Sequence, residues 1–439
     1  MRSVVELNSV VSDISLPRPF IFLVVITIFL ATVFASFMTS QAVNIPYADQ
    51  WPFYQEFKTH PSLQELFTFQ YGPHRQGLGM LLTFATANIS SWDMRAETIA
   101  NVVIQMCTSV VLLWLKWRIF SKWHYTDMVI PMSVLSIQLF ESFVSVPNVS
   151  LFVLPLLMLS LCALAWTFSG QFKHYFVATV AGLLTFTGFG ILTVPSIIAL
   201  YAIDFHNAHR PVLIGSIAAI SISMLLFFRG YIFDPASGCD PISLPLFGAY
   251  PYFLGSLIMN SISLFHQTPP GFYFLGCLGF IALCYLYVLH VKTYRRSPKL
   301  NASILLLMGS GITLLAATTI GRTCIGIQAS QAPRYLIFFI PIWIAVYFLY
   351  LSHLSAGKYS SIIFLMLCVV TSGMLNTKKA VILSNQLKTH KQDWLTCYRR
   401  TESIQHCNRT LGFTLLAADE VEEEVLQYAK DHSLLFYAD

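Results

Sequence analysis

Apolar runs recur along the whole chain, near residues 19–42, 97–116, 126–145, 149–168, 212–229, 271–291, 301–319, 335–352 and 360–376. As helices, each is long enough to cross the ~30 Å of bilayer hydrocarbon. The stretch 175–204 is too long for one comfortable span. Gly188 and Gly190 lie in its middle, so the pattern predicts two short helices meeting at a tight turn. Two further runs are ambiguous. The run 76–91 is short, and 246–265 is broken by Gly248, Pro251 and Gly255.

Charge decides between them. If both ambiguous runs cross, Lys and Arg outside the tail divide evenly between the two sides. If both lie flat or re-enter on the outer face, eleven spans remain and the division becomes two to one inward. The second arrangement is the one that the positive-inside rule expects. The predicted fold class is therefore all-α, a polytopic transmembrane helix bundle of about eleven spans with its N-terminus inside. The first 18 residues mix acids and bases, so the first span reads as a retained anchor.

Composition agrees with this class. Of 439 residues, 56% are hydrophobic and only 11% charged, against about 25% charged in soluble domains. Nothing in it points to nucleic acid. The nine Cys lie mostly inside apolar runs, where a thiol is ordinarily a small buried hydrophobe. No CxxC or His/Cys cluster marks a structural metal.

The candidate chemistry gathers on the predicted outer face. The first outer loop, 43–96, follows the first span at once with Ile45-Pro46-Tyr47-Ala48-Asp49-Gln50-Trp51 and continues to Tyr71-Gly72-Pro73-His74-Arg75. Trp51, Tyr54, Phe57, Leu63, Leu66 and Phe67 suit a helix lying at the membrane interface. A second, greasier helix is expected over 76–91. A loop Asp is most often a solvated turn residue or helix cap. Asp49 is also where an enzyme using a lipid-linked substrate needs its carboxylate. Asp93 and Glu97 read first as acids favoured at a helix start, and Glu141, near the outer end of the third span, either lines a cavity or reaches the interface. Gly321-Arg322 and Arg334-Tyr335 flank one short outer loop. Two Arg there either anchor helix ends at head groups or clamp a phosphate, whose oxygens match guanidinium bidentately.

These motifs, Asp49-Gln50-Trp51, His74-Arg75, Gly321-Arg322 and Arg334-Tyr335, resemble a bacterial branch of the GT-C superfamily of membrane glycosyltransferases. The resemblance covers about 1–376. Related chains tend to read HNEHR where this one has Tyr71-Gly72-Pro73-His74-Arg75, so an acid of that pattern is missing. The resemblance implies a GT-C-like membrane module and a polyprenyl-phosphate sugar donor in the bacterial inner membrane. It also implies inverting transfer to a glycan, lipid or protein acceptor outside. Asp49 is then the catalytic base. Arg322, Arg334, Tyr335, His74 and Arg75 bind the donor phosphate, and Trp51, Asp93, Glu97 and Glu141 line the acceptor side or cavity. No cofactor is fixed by the sequence. A divalent metal between Asp49 and a second acid is compatible with it, though no metal-ligand spacing is present.

The tail, 377–439, is expected outside as a small separate unit. Its Cys397 and Cys407 either pair in an oxidising compartment or remain thiols. The acidic run from Asp419 predicts a helix ending near Lys430. Two rival functions stand beside transfer. One is an O-antigen-type polymerase or ligase, whose large loop lies late in the chain rather than early. The other is a lipid or sugar transporter, for which internal repeats are expected and none is seen.

Overall fold

The computed structural model describes residues 17–145, 149–205, 210–232, 248–262, 270–353, 359–415 and 419–438. The helices are α1 (Arg18–Gln41), α2 (Trp51–Phe57), α3 (Leu63–Thr68), α4 (Gly77–Ile89), α5 (Met94–Phe120), α6 (Val129–Val134), α7 (Leu154–Trp166), α8 (Phe172–Thr185) and α9 (Val194–Asp204). They continue as α10 (Arg210–Phe228), α11 (Ala249–Ile262), α12 (Pro270–Lys292), α13 (Pro298–Arg322), α14 (Ile340–His353), α15 (Tyr359–Thr401), α16 (Ile404–Leu411) and α17 (Asp419–Asp431). Among the described residues, the only strands are β1 (Gln70–Tyr71) and β2 (His74–Arg75), an antiparallel pair in which Tyr71 faces His74.

Eight helical segments are long and apolar enough to cross a membrane: 18–41, 94–120, 125–145, 149–166, 210–228, 273–292, 298–325 and 333–352. The two ambiguous runs form α4 and α11, of 13 and 14 residues. At 1.5 Å per residue each described helix is about 20 Å long, shorter than the hydrocarbon core, and α8 and α9, of 14 and 11 residues, are equally short. The stretch 175–204 divides as its glycines predict. α8 and α9 meet at Gly188, whose φ of +51° is open to glycine at little cost, and a Cβ there would collide with the Ser150 carbonyl.

Burial sorts the helices. α13 is covered on nearly all sides, from Asn301 through Gly311, as a centrally placed apolar helix must be. α1 instead exposes Ile21, Val25, Ile28 and Phe29, a face that suits lipid and not water.

A second, smaller core sits apart from the bundle core, and it corrects two expectations. Trp51, Tyr54 and Phe57 are buried within the protein and present no aromatic face to lipid. They pack with Trp92, Trp394, Leu426 and Phe436 in a cap built from both the first loop and the tail. The tail is thus not a separate unit: the expected boundary at 376 falls inside the 43-residue α15. Backbone bonds stitch the two parts, Ala48 N–H to Leu415 O at 2.7 Å and Leu435 N–H to Ser91 O at 2.9 Å. Cys397 and Cys407 are bonded, with Cα atoms 5.8 Å apart, closing α15 onto α16. Between 51 and 68 the chain forms two short helices, the second opened by a Ser62/Glu65 capping box, and Leu63 is exposed.

The cap generates a stability prediction. Trp394 is fully buried and its Nε1–H donates to Asn408 Oδ1 at 2.7 Å. Trp394→Ala should cost about 3–5 kcal/mol within the cap and free the tail for proteolysis in detergent while the bundle stays intact. Digestion of the tail at an unchanged rate would show that it docks without this core.

Candidate functional site

The segment leaving α1 carries the site along the seam between cap and bundle. Ile45 is buried, and a 3₁₀ turn over Ala48–Gln50 follows. Gln50 locks that turn. Its Oε1 accepts the Tyr47 N–H at 3.0 Å, and its Nε2 donates to Glu97 Oε2 at 3.2 Å. Glu97 is 2% exposed and also accepts the Thr83 hydroxyl at 3.2 Å. Glu97 therefore holds the Asp49 turn from below. Asp93 caps α5, accepting Arg95 N–H at 2.9 Å.

The turn presents its two outer residues in different directions. Asp49 is exposed, and its Oδ1 accepts the Tyr71 hydroxyl at 3.2 Å. Burial, then the Asp49 charge, pushes the Tyr71 phenol up to about 12, so this group donates and does not ionise. Tyr47 stacks on Phe413 with ring centroids 5.7 Å apart. Its phenol is raised by burial first and then by the nearby Glu141 carboxylate, against a lowering from Arg334. That places Tyr47 beside the ion pair in which Arg334 Nη1 meets Glu141 Oε1 at 2.5 Å. The Arg334 backbone N–H also donates to Glu141 Oε2 at 3.0 Å, and the guanidinium lies over the Tyr335 ring, 5.3 Å from its centroid. Tyr335 itself is buried.

Across the hairpin from Tyr71 stands His74. Residues directly opposed on an antiparallel pair have Cβ atoms about 5 Å apart. The His74 ring is edge-on to Phe189 at 4.1 Å, and its Nε2 is sealed from solvent without a partner. Burial, then the Arg322 charge, pushes it down to about 3. In this setting the uncharged imidazole is favoured at neutral pH. Arg322, half-buried at the end of α13, makes no hydrogen bond or ion pair among the described residues.

Two sequence-predicted ligands are committed elsewhere. The Arg75 guanidinium is caged by the carbonyls of Phe227 (2.7 Å), Arg229 (2.7 Å) and Thr68, so it ties the hairpin to the end of α10. Trp51 is fully enclosed in the cap and offers no ring to a sugar.

Three site residues were not singled out from sequence: Tyr47, Tyr71 and Lys391. Lys391 is buried on α15, donating to Val144 O at 3.0 Å and Ser145 O at 3.4 Å, with Nζ 4.9 Å from the Tyr47 centroid. Burial pushes its amine down to about 7. The two tyrosines lay within quoted motifs, whereas nothing marked Lys391 among the basic residues of the tail. No group of three His, Cys, Asp or Glu side chains converges as a metal site among the described residues. Cys324, two residues after Arg322, is disulfide-bonded. This chain matches no family model and no curated protein.

The His74 ring gives a pH prediction. The unfolded chain takes up this proton near pH 6.5, the folded chain only near 3. Between those values the folded state binds fewer protons, so stability falls as pH falls, by up to about 1.4 kcal/mol per pH unit. His74→Gln should flatten the thermal-stability profile in detergent between pH 6 and 4. An identical acid loss in the two proteins would contradict an enclosed neutral ring.

Proposed function

We propose that this protein transfers a sugar from a polyprenyl-phosphate-linked donor to an acceptor on the outer face of the membrane, as a GT-C-like glycosyltransferase. The observation that carries the reading is one juxtaposition. The exposed Asp49 carboxylate is held by Tyr71, and Tyr71 faces His74, which lies in the field of Arg322, a side chain with no ion pair among the described residues. A glycosyl phosphate needs a base for the acceptor and fixed positive charge for the leaving phosphate. Asp49 takes the acceptor proton. Arg322 stabilises the phosphate as the glycosidic C–O bond breaks, and a single displacement inverts the anomeric centre. The Arg334–Glu141 pair holds the rim beside Tyr47, with part of one guanidinium spent on that pair.

The orientation belongs to the same proposal. The charge asymmetry of the sequence, not helix length, selects α8, α9 and the first part of α15 as crossings beside the eight long segments, which gives eleven spans with the cap facing outward from a bacterial inner membrane. The Cys397–Cys407 bond and the bonded state of Cys324 support an oxidising side for the cap and for the α13 end.

Two experiments test these readings. In a purified system with polyprenyl-phosphate sugars, Asp49→Asn should lower transfer about 10²–10⁴-fold with donor binding retained. Arg322→Ala should weaken donor binding ten- to a hundredfold, as loss of a charge-assisted contact of about 1.5–3 kcal/mol implies. Near-normal transfer by the Asn variant removes Asp49 as base, and movement of the lipid-linked sugar without transfer would identify a transporter. For orientation, Ser121→Cys in the α5–α6 turn should resist a membrane-impermeant maleimide in intact cells; labelling there would reverse the topology.

A further inference from the structure

The far end of the bundle holds a cavity that the proposed reaction does not use. α5 leaves the cap at Met94 and runs 27 residues, about 40 Å. It ends at Ile119 and Phe120 on the wall of a cavity of about 730 Å³. That volume lies within the range of small-ligand sites, ~300–1,000 Å³. The remaining wall comes from the ends of α7, α9 and α14 and the starts of α8 and α13.

The polar groups of its floor satisfy one another. Trp166 Nε1–H donates to the Tyr294 hydroxyl at 3.2 Å, and Tyr294 in turn donates to the Asp204 carboxylate. The cations at its mouth do not. Neither Lys173 nor Lys299 forms a hydrogen bond or ion pair through its ammonium among the described residues. Lys173 only lies over the Trp166 ring, 5.2 Å from its centroid. With Asp204 tied down by Tyr294, the lining carries two ammonium groups against one carboxylate. An aromatic floor below partnerless ammonium groups, at the level where helices leave the bilayer, matches a singly charged phosphate ester whose apolar part enters between the helices.

We propose that this cavity is a binding site for an anionic phosphodiester headgroup, seated on Lys173 and Lys299 over Trp166. A membrane phospholipid and a water-soluble phosphodiester share that chemistry, and the test separates them. The full-length protein is placed in phosphatidylcholine nanodiscs, and phosphatidylglycerol or soluble glycerophosphoglycerol is titrated while thermal unfolding and retained lipid are read. Phosphatidylglycerol should stabilise the protein. Lys173→Gln and Lys299→Gln should weaken its binding roughly fivefold each. The Lys122→Gln protein, which loses a charge outside the cavity, should follow wild type, and a Lys173→Arg/Lys299→Arg pair should retain the effect. Equal protection by the soluble diester supports the site and assigns it to a water-soluble ligand. The proposal is overturned if the Gln pair binds phosphatidylglycerol like wild type. It is also overturned if Lys122→Gln loses as much, or if the Arg pair fails together with the Gln pair.

Discussion

The cap depends on burial of the aromatic side of α2 against the end of α15 and α17. α2 has only seven residues, far below the length at which a helix persists alone in water. It forms because Trp51, Tyr54 and Phe57 lose their water to Trp92, Trp394 and Leu426. Around that contact, Tyr428 stacks on Trp92 at 5.5 Å, and the Arg399 guanidinium donates to Phe436 O at 3.0 Å. Every feature of the Asp49 turn hangs from this platform, since Ala48 is bonded to Leu415 and the neighbouring Tyr47 is stacked on Phe413. The tail, far away in sequence, is therefore a structural wall of the candidate site.

The cations divide by whether their donors are already engaged. Arg75 is caged by three carbonyls, and Arg334 is held by Glu141. Lys391 rests on two carbonyls, and Lys116 lies in a fully buried pair with Asp127, whose other oxygen accepts the Tyr347 hydroxyl at 2.6 Å. Removing one member of such a pair leaves a stranded charge, which costs several kcal/mol, so these residues hold helices in place. Arg322 is different: its side chain has no hydrogen bond or ion pair among the described residues, and it lies in electrostatic reach of His74. An anion arriving there would break no ion pair formed among the described residues.

The sequence made the bundle legible because apolar length and glycine placement are local signals. The runs that became α1, α5, α7, α10 and α13 were visible in it, as were the break at Gly188 and the acidic helix α17. The cap was not. Trp51 and Trp394 are hundreds of residues apart, and an aromatic cluster beside a membrane span reads equally as an interfacial anchor until its partner is known. Arg75 and Arg322 show the same limit in charge. Each is an Arg in a short glycine-containing motif, and only the fold reveals that one is bonded to three carbonyls while the side chain of the other bonds to none among the described residues. Glu141 was legible as a carboxylate near the outer rim. Its engagement with Arg334 was not, since 193 residues separate them.

Under the proposed function Asp49 is a base at a membrane surface, and such a base faces two opposed demands. It must be open enough to meet an acceptor and fixed enough to keep its geometry. The Asp49 turn meets both by dividing the work among adjacent residues. Gln50 is 1% exposed and bonded at both ends of its amide, while Tyr47 is clamped between Phe413 and Lys391. The backbone on each side of Asp49 is thus ordered by groups that never touch solvent freely. The carboxylate itself has one side-chain donor, Tyr71, at a relaxed 3.2 Å. A carboxylate wrapped in several donors would be a poorer base, because each bond stabilises the charged form that must accept the proton. A carboxylate on a free loop would lose the advantage of prior positioning, which is a large part of what a site contributes to rate. On that reading, burying the flanks and exposing only the acid satisfies both demands, with the buried Glu97 built into the floor of the site.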